Sequence, residues 1–321
     1  MSNILVTGGA GYIGSITTLE LLDAGYDVTV VDNLSRGHRD AVDSARLRVV
    51  DVLDTAGLVK VMSEKKFDAV VHFAAFIAVG ESMKAPEVYF TNNTAGSLSL
   101  LTAMVKTGVD KIVFSSTAAV YGMPARVPVS EAEPYAPVNA YGESKVMVEK
   151  FLQWFDQIHG MRSVCLRYFN ASGADPKGRA GERHEPETHL IPLLFDAIRT
   201  GKPVTLFGDD YPTPDGTCIR DYIHVTDLAR AHIAALEALF AGGESKRYNA
   251  GAGCGYSNRE IMNAVEEVTG KKIPFVTGPR RDGDPPLLVA DSTLMQRELG
   301  WKPEYSGLRQ IVETAWKWAN R

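Results

Sequence analysis

Short β-branched and aliphatic runs alternate with longer amphipathic stretches along the first half of the chain, and this alternation constrains the fold more than any other feature. The runs cover residues 3–7, 27–31, 47–50, 69–73, 111–114 and 163–167. Helical periodicity fills the gaps, most plainly over 86–106 and 142–158. Strands separated by helices return by crossovers, so the pattern predicts an α/β fold built on a doubly wound parallel sheet. Ligands of such sheets gather at the carboxyl ends of the strands. The runs end there on polar or small residues: Asp32, Asp51, Ala74-Ala75, Ser115-Ser116-Thr117 and Tyr168-Phe169-Asn170.

The first run feeds into Gly8-Gly-Ala-Gly11-Tyr-Ile-Gly14, and apolar periodicity resumes at Ile16, Leu19 and Leu22. Strand, glycine turn and helix in that order make a Rossmann-type nucleotide end, where small residues let a pyrophosphate approach the helix N-terminus. The spacing is G-x-x-G-x-x-G rather than G-x-G-x-x-G. Asp32 closes the second run, where a carboxylate binds a ribose 2′-hydroxyl and repels a 2′-phosphate. The expected cofactor is therefore NAD rather than NADP, with Arg36 nearby pulling the other way.

Tyr141 and Lys145 stand four residues apart, so a helix puts phenol and ammonium on one face. A tyrosine with its ordinary pKa near ~10 is a poor base at neutral pH, and bringing it to about 7 takes roughly 4 kcal/mol of electrostatics. A lysine supplies part of that and an oxidised nicotinamide the rest, so the pair predicts a base that works with a dinucleotide. The alternative is a helix surface with two ordinary residues.

The chain has 321 residues, enough for one large domain or two modest ones. A net charge of −5 gives a nucleic-acid partner no electrostatic support. No apolar run approaches a membrane span, and the N-terminus lacks the basic and apolar regions of a signal peptide. Cys165, Cys218 and Cys254 are scattered and form no C-x-x-C pair, which points to a reducing cytoplasm. His184, Glu185, Glu187 and His189 crowd one stretch, but their spacing matches no zinc motif; a solvated loop without metal is expected. Residues 171–186, 208–216 and 279–286 are rich in Gly and Pro and read as long loops.

TGGAGYIG, DNLSRGH, HFAAFIAVGES, FSSTAAVYG, YGESK, LRYFNASGADP, HLIP, LFGDDYPTPDG, RDYIHVTDLA and RRDGD follow in order. With these motifs the chain resembles the extended short-chain dehydrogenase/reductase superfamily, and within it most closely the UDP-glucose 4-epimerases, over nearly its whole length. The resemblance implies reversible epimerisation at C4 of a UDP-hexose through a 4-keto intermediate, with tightly bound NAD. It implies Tyr141 as base and Lys145 as the group that lowers its pKa and bonds the nicotinamide ribose. Thr117 takes the place of the hydroxyl on the sugar O4, with Ser116 and Ser115 flanking it. Cofactor contacts are implied at Gly8, Gly11, Tyr12, Ile13, Gly14, Asp32, Asn33, Asp51, Val52, Phe73, Ala74, Ala75, Asn92, Ser115 and Phe169. For the substrate, the resemblance implies Asn170 as an amide donor, His189 and Leu190 against the nucleotide, and Thr205 and Phe207 along the uracil. It places Arg220 and Arg281 on the diphosphate, Asp284 on the ribose and Leu288 near the C2 substituent. Two helices, 86–106 and 142–158, resemble those of a four-helix dimer interface, with Leu98, Leu101, Val105, Val148 and Leu152 as candidates for a homodimer.

Dehydratase and decarboxylase relatives carry T-D-E-V-Y-G or T-S-E-V-Y-G, whereas this chain has Thr117-Ala-Ala-Val-Tyr-Gly122. Ala118 and Ala119 cannot move protons, which leaves redox at one carbon with return of the hydride. A keto sugar must then turn over without escaping, and binding energy from a remote diphosphate retains it. A guanidinium suits that handle because it meets phosphate oxygens with paired N–H groups. Three positions depart from the family pattern. Ile16 stands where many relatives have His, Ile77 where some have Lys, and Leu288 where relatives have either Tyr or a smaller residue. The alternatives are a 4-epimerase of UDP-GlcNAc or a UDP-uronate, a plain NAD-dependent reductase, and an NAD(H)-sensing protein without turnover. The expected organisation is an NAD-binding domain over 1–170 with a return segment near 220–240. A smaller mixed UDP-sugar lobe over 171–321 interleaves with it.

Overall fold

The computed structural model describes residues 2–281 and 284–321, so Asp282 and Gly283 of the RRDGD stretch lie outside the described residues. Six strands form where the runs place them: β1 (Asn3–Thr7), β2 (Asp27–Asp32), β3 (Leu47–Val49), β4 (Ala69–His72), β5 (Lys111–Thr117) and β6 (Arg162–Tyr168). Alternate residues of β1 go to opposite faces, as the strand period requires. Ile4 and Val6 join a core with Val28, Val30 and Leu236, while Leu5 joins another with Leu58, Val70, Leu100 and Phe114. A sheet buried on both faces is the hallmark of a parallel α/β protein.

The later strands are β7 (Asn170–Ser172), β8 (Val204–Phe207), β9 (Ile219–His224), β10 (Lys246–Ala250), β11 (Gly255–Ser257), β12 (Phe275–Gly278) and β13 (Leu287–Leu288). The main sheet has the order β10-β6-β5-β4-β1-β2-β3, and all its pairs are parallel. The chain runs outward from β1 through β2 and β3, then restarts on the other side at β4. The crevice between the ends of β1 and β4 is therefore the switch point, where such sheets bind nucleotides.

The return to this sheet is longer than the expected 220–240. Helix Val225–Phe240 packs on helix Tyr12–Asp23 and hands the chain to β10, which pairs with β6. Lys246-Arg-Tyr-Asn-Ala250 contains no β-branched residue, so propensity hides this edge strand.

The second lobe is mixed, as expected. It holds a four-stranded sheet of β7, β9, β11 and β13 and a β8–β12 pair. Helices Leu190–Thr200, Asn258–Thr269 and Leu308–Ala319 share a core of Leu194, Phe195, Ile261, Val265 and Ile311.

The expected helix over 86–106 is interrupted. Pro86–Tyr89 is α-helical, Phe90–Ala95 winds as a π-helix, and Gly96–Thr107 is α-helical again. Two interior asparagines, Asn92 and Asn93, sit in the loosened turn, where side-chain amides compete with the helical ladder. Helix Ala140–His159 starts on Asn139, whose side chain accepts from the Gly142 N–H at 2.8 Å, and ends at Gly160. Leu101, Val148 and Leu152, expected at a subunit face, pack into the core instead, while Leu98 and Val105 stay exposed. Among the described residues no helix is long and apolar enough to cross a membrane.

Candidate active site

The turn after β1 is closed by backbone contact. Gly8 has φ 71°, and a Cβ there would meet the Ala74 nitrogen at 2.5 Å, while one on Gly14 would meet the Gly8 carbonyl oxygen at 2.2 Å. These glycines let the turn lie directly on the end of β4 at Phe73, Ala74 and Ala75. Gly11 differs, because its added Cβ would find only the Gly8 oxygen, at 3.4 Å. Helix Tyr12–Asp23 begins on this open side without a side-chain cap. Its first N–H groups, including that of Ile13, are thus available to an anion. The Tyr12 phenol turns away: it donates to the Gly173 carbonyl at 2.6 Å and packs beside Ile16, Ala180 and Val225, so only the Tyr12 backbone faces the turn.

Asp32 is buried and accepts from the N–H groups of Ala10 (3.0 Å) and Leu34 (2.8 Å). Burial pushes its carboxyl pKa upward against these hydrogen bonds. Asn33 donates to Asp51 at 2.8 Å, with Val52 buried beside them. Arg36 is engaged elsewhere: it pairs with Glu81 at 3.1 Å, donates to the Glu185 carbonyl at 3.1 Å and lies over the Phe76 ring. An open glycine face, an uncapped helix start and a carboxylate at the end of β2 fit a dinucleotide with an unmodified 2′-hydroxyl, which is NAD.

Strand alternation sorts the Ser115-Ser116-Thr117 run. Ser115 hydrogen-bonds the Tyr168 hydroxyl, and Thr117 accepts from the Ala119 N–H at 3.1 Å and acts to lower the Tyr141 pKa. Ser116 faces the other way and donates to Glu149 at 2.5 Å, so it does not join Thr117 and Tyr141. The pKa of Tyr141 is raised by burial, with Thr117 acting in the opposite direction. Lys145 by itself therefore does not bring the phenol toward neutrality, and the expected second contribution from an oxidised nicotinamide is still needed. Lys145 is itself buried, which pulls its pKa down to about 7 against the opposing field of Glu149. Its Nζ donates to the Ser115 carbonyl at 2.8 Å and sits 5.9 Å from the centre of the Tyr141 ring. With Lys145 itself pulled down by burial, a further positive charge beside the phenol would favour its phenolate form.

Two residues missed by sequence reasoning hold this wall. Glu149 follows Tyr141 and Lys145 at the same helical spacing. It takes two bonds from Arg167 (3.0 and 2.7 Å) and one from Tyr135 (2.7 Å), with Arg247 at 3.1 Å. Asn93, rather than its neighbour Asn92, is buried: it brackets the Phe76 backbone (2.8 and 3.0 Å) and donates to Ser144 at 3.1 Å. Ser144 in turn donates to the Tyr141 carbonyl at 2.7 Å. Asn92 is half-buried and bonds Asn93. The i, i+4, i+8 spacing of Tyr141, Lys145 and Glu149 was a visible signal for the first residue, and the interior Asn-Asn pair for the second.

In the second lobe, Arg220 pairs with Asp284 at 2.7 Å rather than with Asp221 or Asp227. Asp221 instead caps the backbone N–H groups of Ala252, Gly253 and Ala290. The Arg281 guanidinium lies 4.1 Å from the centre of the Phe207 ring, and Thr205 is on the same short strand β8. Leu288 pairs in register with Arg220 and packs, with Phe169, against the cluster of Ala118, Val120 and Tyr121. Asn170 donates to the Asp221 carbonyl at 3.0 Å. His189 precedes helix Leu190–Thr200, and its ring turns into a group with Glu182, His184 and Glu187. Glu185 is not in that group, and the expected solvated loop is instead a partly buried cluster. Burial opposes ionisation of Glu182, but hydrogen bonds from His184 and His189 outweigh it and bring its pKa to about 2.

Known proteins match this arrangement along the whole chain. The model of the NAD dependent epimerase/dehydratase family matches residues 4–251. The chain is 53% identical over 317 residues to the UDP-glucose 4-epimerase of Lacticaseibacillus casei, covering 98% of this chain and 96% of that protein. It is similar to the crystal structure of UDP-glucose 4-epimerase from Brucella ovis in complex with NAD. There the TM-score is 0.96 at 47% identity, over 99% of this chain and 98% of that one. It is also similar to the UDP-Glc/GlcNAc 4-epimerase of Campylobacter jejuni, with TM-score 0.87, 40% identity, and coverage of 100% and 99%.

Proposed function

The chain belongs to the NAD-dependent epimerase/dehydratase family, and we propose that it reversibly inverts C4 of a UDP-hexose, interconverting UDP-glucose and UDP-galactose through a 4-keto sugar. One observation carries this reading: the buried Tyr141 and Lys145 lie against the end of β5, where Lys145 bonds the Ser115 carbonyl, and the residues after Thr117 are Ala118 and Ala119. That wall can move one proton at one hydroxyl and has no second acid for elimination. Bound NAD supplies a reversible hydride acceptor and a positive charge beside the phenol.

Tyr141 removes the proton of the 4-hydroxyl as C4 is oxidised and gives it back when C4 is reduced from the other face. Lys145 supports the phenolate. Thr117 holds O4 in both its alcohol and its keto state. Arg220, Arg281, Asp284, Asn170 and the β8 residues Thr205 and Phe207 hold the nucleotide diphosphate while the sugar turns. His189 and Leu190 border it at the start of the next helix. Asp32, Asn33 and Asp51 take the adenosine end of NAD, and Phe73 to Ala75 form its floor.

The NAD-binding domain comprises 1–170 and the return through β10, with the UDP-sugar lobe interleaved after 171. Exposed Trp154 (62%) and Ile158 (69%), one turn apart, join Leu98 and Val105 as apolar side chains that support a homodimer. Unpaired cysteines support a reducing, cytoplasmic setting. Leu288 supports a second substrate: a leucine beside the sugar leaves more room than tyrosine for the N-acetyl group of UDP-GlcNAc.

The test is a panel of UDP-galactose, UDP-GalNAc and UDP-galacturonate with NAD present. Conversion of UDP-galactose to UDP-glucose without net NADH supports the proposal. Conversion of none of the three would sink it, and stoichiometric NADH consumption on a keto sugar would mark a reductase.

A further inference from the structure

Residues 182–189 carry a four-donor cluster of which the reaction above uses no proton. His184 Nδ1 lies 3.0 Å from a Glu182 oxygen and 3.8 Å from a Glu187 oxygen. His189 Nδ1 lies 2.7 Å from Glu182 and 3.2 Å from Glu187. Each imidazole nitrogen thus meets both carboxylates, and one donor atom from each of the four residues falls within 4.8 Å of all the others. The two carboxylate side chains are largely buried, at 8% and 13% exposure. Two buried carboxylates facing one point are offset by positive charge, supplied either by the imidazolium protons that these contacts hold or by a metal ion in their place.

We propose that His184, His189, Glu182 and Glu187 form a binding site for one divalent transition-metal ion, zinc by chemical preference. Nδ1 of each histidine and one oxygen of each glutamate are the ligands. Metal bonds near 2.0–2.2 Å set tetrahedral donors about 3.4 Å apart. The nitrogens lie 2.7 and 3.0 Å from Glu182 Oε1, and 3.2 and 3.8 Å from Oε1 and Oε2 of Glu187, on either side of that spacing. Two imidazoles with two carboxylates suit zinc better than the all-oxygen shells of calcium or magnesium. Glu187 Oε1 accepts from the N–H groups of Thr188 (2.7 Å) and His189 (2.8 Å), which holds the carboxylate in orientation.

The surroundings give the ion a structural role. His38 bonds the Arg183 carbonyl at 2.8 Å, and Arg36 bonds that of Glu185, both from the loop beyond Asp32. Trp318 of the last helix donates to the Glu182 carbonyl at 3.1 Å. His189 leads directly into helix Leu190–Thr200 of the second lobe. A metal here therefore pins the cofactor-side loop to the start of the substrate lobe, and takes no part in the redox step.

The full chain, as purified, is equilibrated with micromolar zinc, desalted and assayed for metal. The expected result is about one zinc per chain, lost on chelation together with roughly 5 °C of melting temperature. His184→Ala and Glu182→Gln should each retain under a tenth of an equivalent, and chelation should leave their melting unchanged, whereas His159→Ala should behave as wild type. X-ray absorption of the wild-type zinc protein should show nitrogen and oxygen neighbours only, which keeps the test open if a variant fails to fold. Less than about a tenth of an equivalent on wild type, equal zinc on His184→Ala, or a sulfur shell from the cysteines would each overturn the site.

Discussion

Along β5 and helix Ala140–His159 the charged groups are satisfied inside the protein: Lys145 on the Ser115 carbonyl, and Glu149 among Ser116, Tyr135, Arg167 and Arg247. Across the cleft the charges are looser. Arg220 leans on the half-buried Asp284, and Arg281 is exposed over Phe207 on the two-stranded β8–β12 ribbon. The first wall is a buried hydrogen-bonded lattice, and the second carries fewer bonds, with Arg220 buried on Asp284 and the Ile219 carbonyl and Arg281 exposed. The contrast matches two tasks. Proton transfer at a fixed atom rewards pre-organisation, whereas a sugar that must rotate between two hydride transfers needs a tether that holds the nucleotide and leaves the ring free.

Substitutions on the two walls should therefore fail in different ways. The largest effect is expected for Tyr141→Phe, with turnover falling roughly a thousandfold. UDP-sugar affinity, read by calorimetry, should stay within about threefold, and near-normal turnover would remove Tyr141 from the chemistry. Glu149→Gln should cost about 3 kcal/mol of stability, because it leaves Arg167 buried against a neutral partner. Thermal melting reads this, and an unchanged midpoint would show that the lattice is not what holds the wall. Arg220→Ala should act on the tether instead, raising KM about thirtyfold, on the order of 2 kcal/mol for a charged hydrogen bond, while kcat moves less. A fall in kcat with KM unchanged would contradict the division of labour.

A smaller effect separates the walls by pH. Burial raises the Glu149 pKa, but the Arg167 bonds outweigh it and hold the carboxyl below its ordinary 4.5. Its contribution is therefore complete above pH 4.5 and lost as pH falls through the lower folded value. The melting temperature of wild type should drop more steeply below pH 4.5 than that of Glu149→Gln, and parallel curves would refute this coupling. Smallest of all, Leu288→Ala should shift the UDP-GlcNAc to UDP-glucose rate ratio upward by a few-fold, about 1 kcal/mol for a few methylenes in a pocket; an unchanged ratio would remove Leu288 from the specificity wall.

The two walls were also unequally legible in sequence. Local rules governed the nucleotide end: a glycine turn, a carboxylate closing β2 and the i, i+4 pair on one helix each depend on residues close together in the chain. The period of a strand would likewise have turned Ser116 away from Thr117. The partners of Glu149 were hidden, because they come from Tyr135, Arg167 and Arg247 on different elements. The same holds for β10, which lacks β-branched residues yet closes the sheet, and for Glu182, which completes the histidine cluster where spacing alone suggested Glu185. Chemistry built from contacts across elements is set by packing, which no local pattern encodes.

In the proposed mechanism one phenol and one returned hydride act on C4 of a tethered UDP-sugar. It is tested most directly with UDP-galactose deuterated at C4, in the presence of excess unlabelled NAD. The account predicts UDP-glucose that retains the deuterium at C4, because the hydride leaves and returns within one binding event. Label lost to the NAD pool or to water, with UDP-glucose still formed, would contradict it.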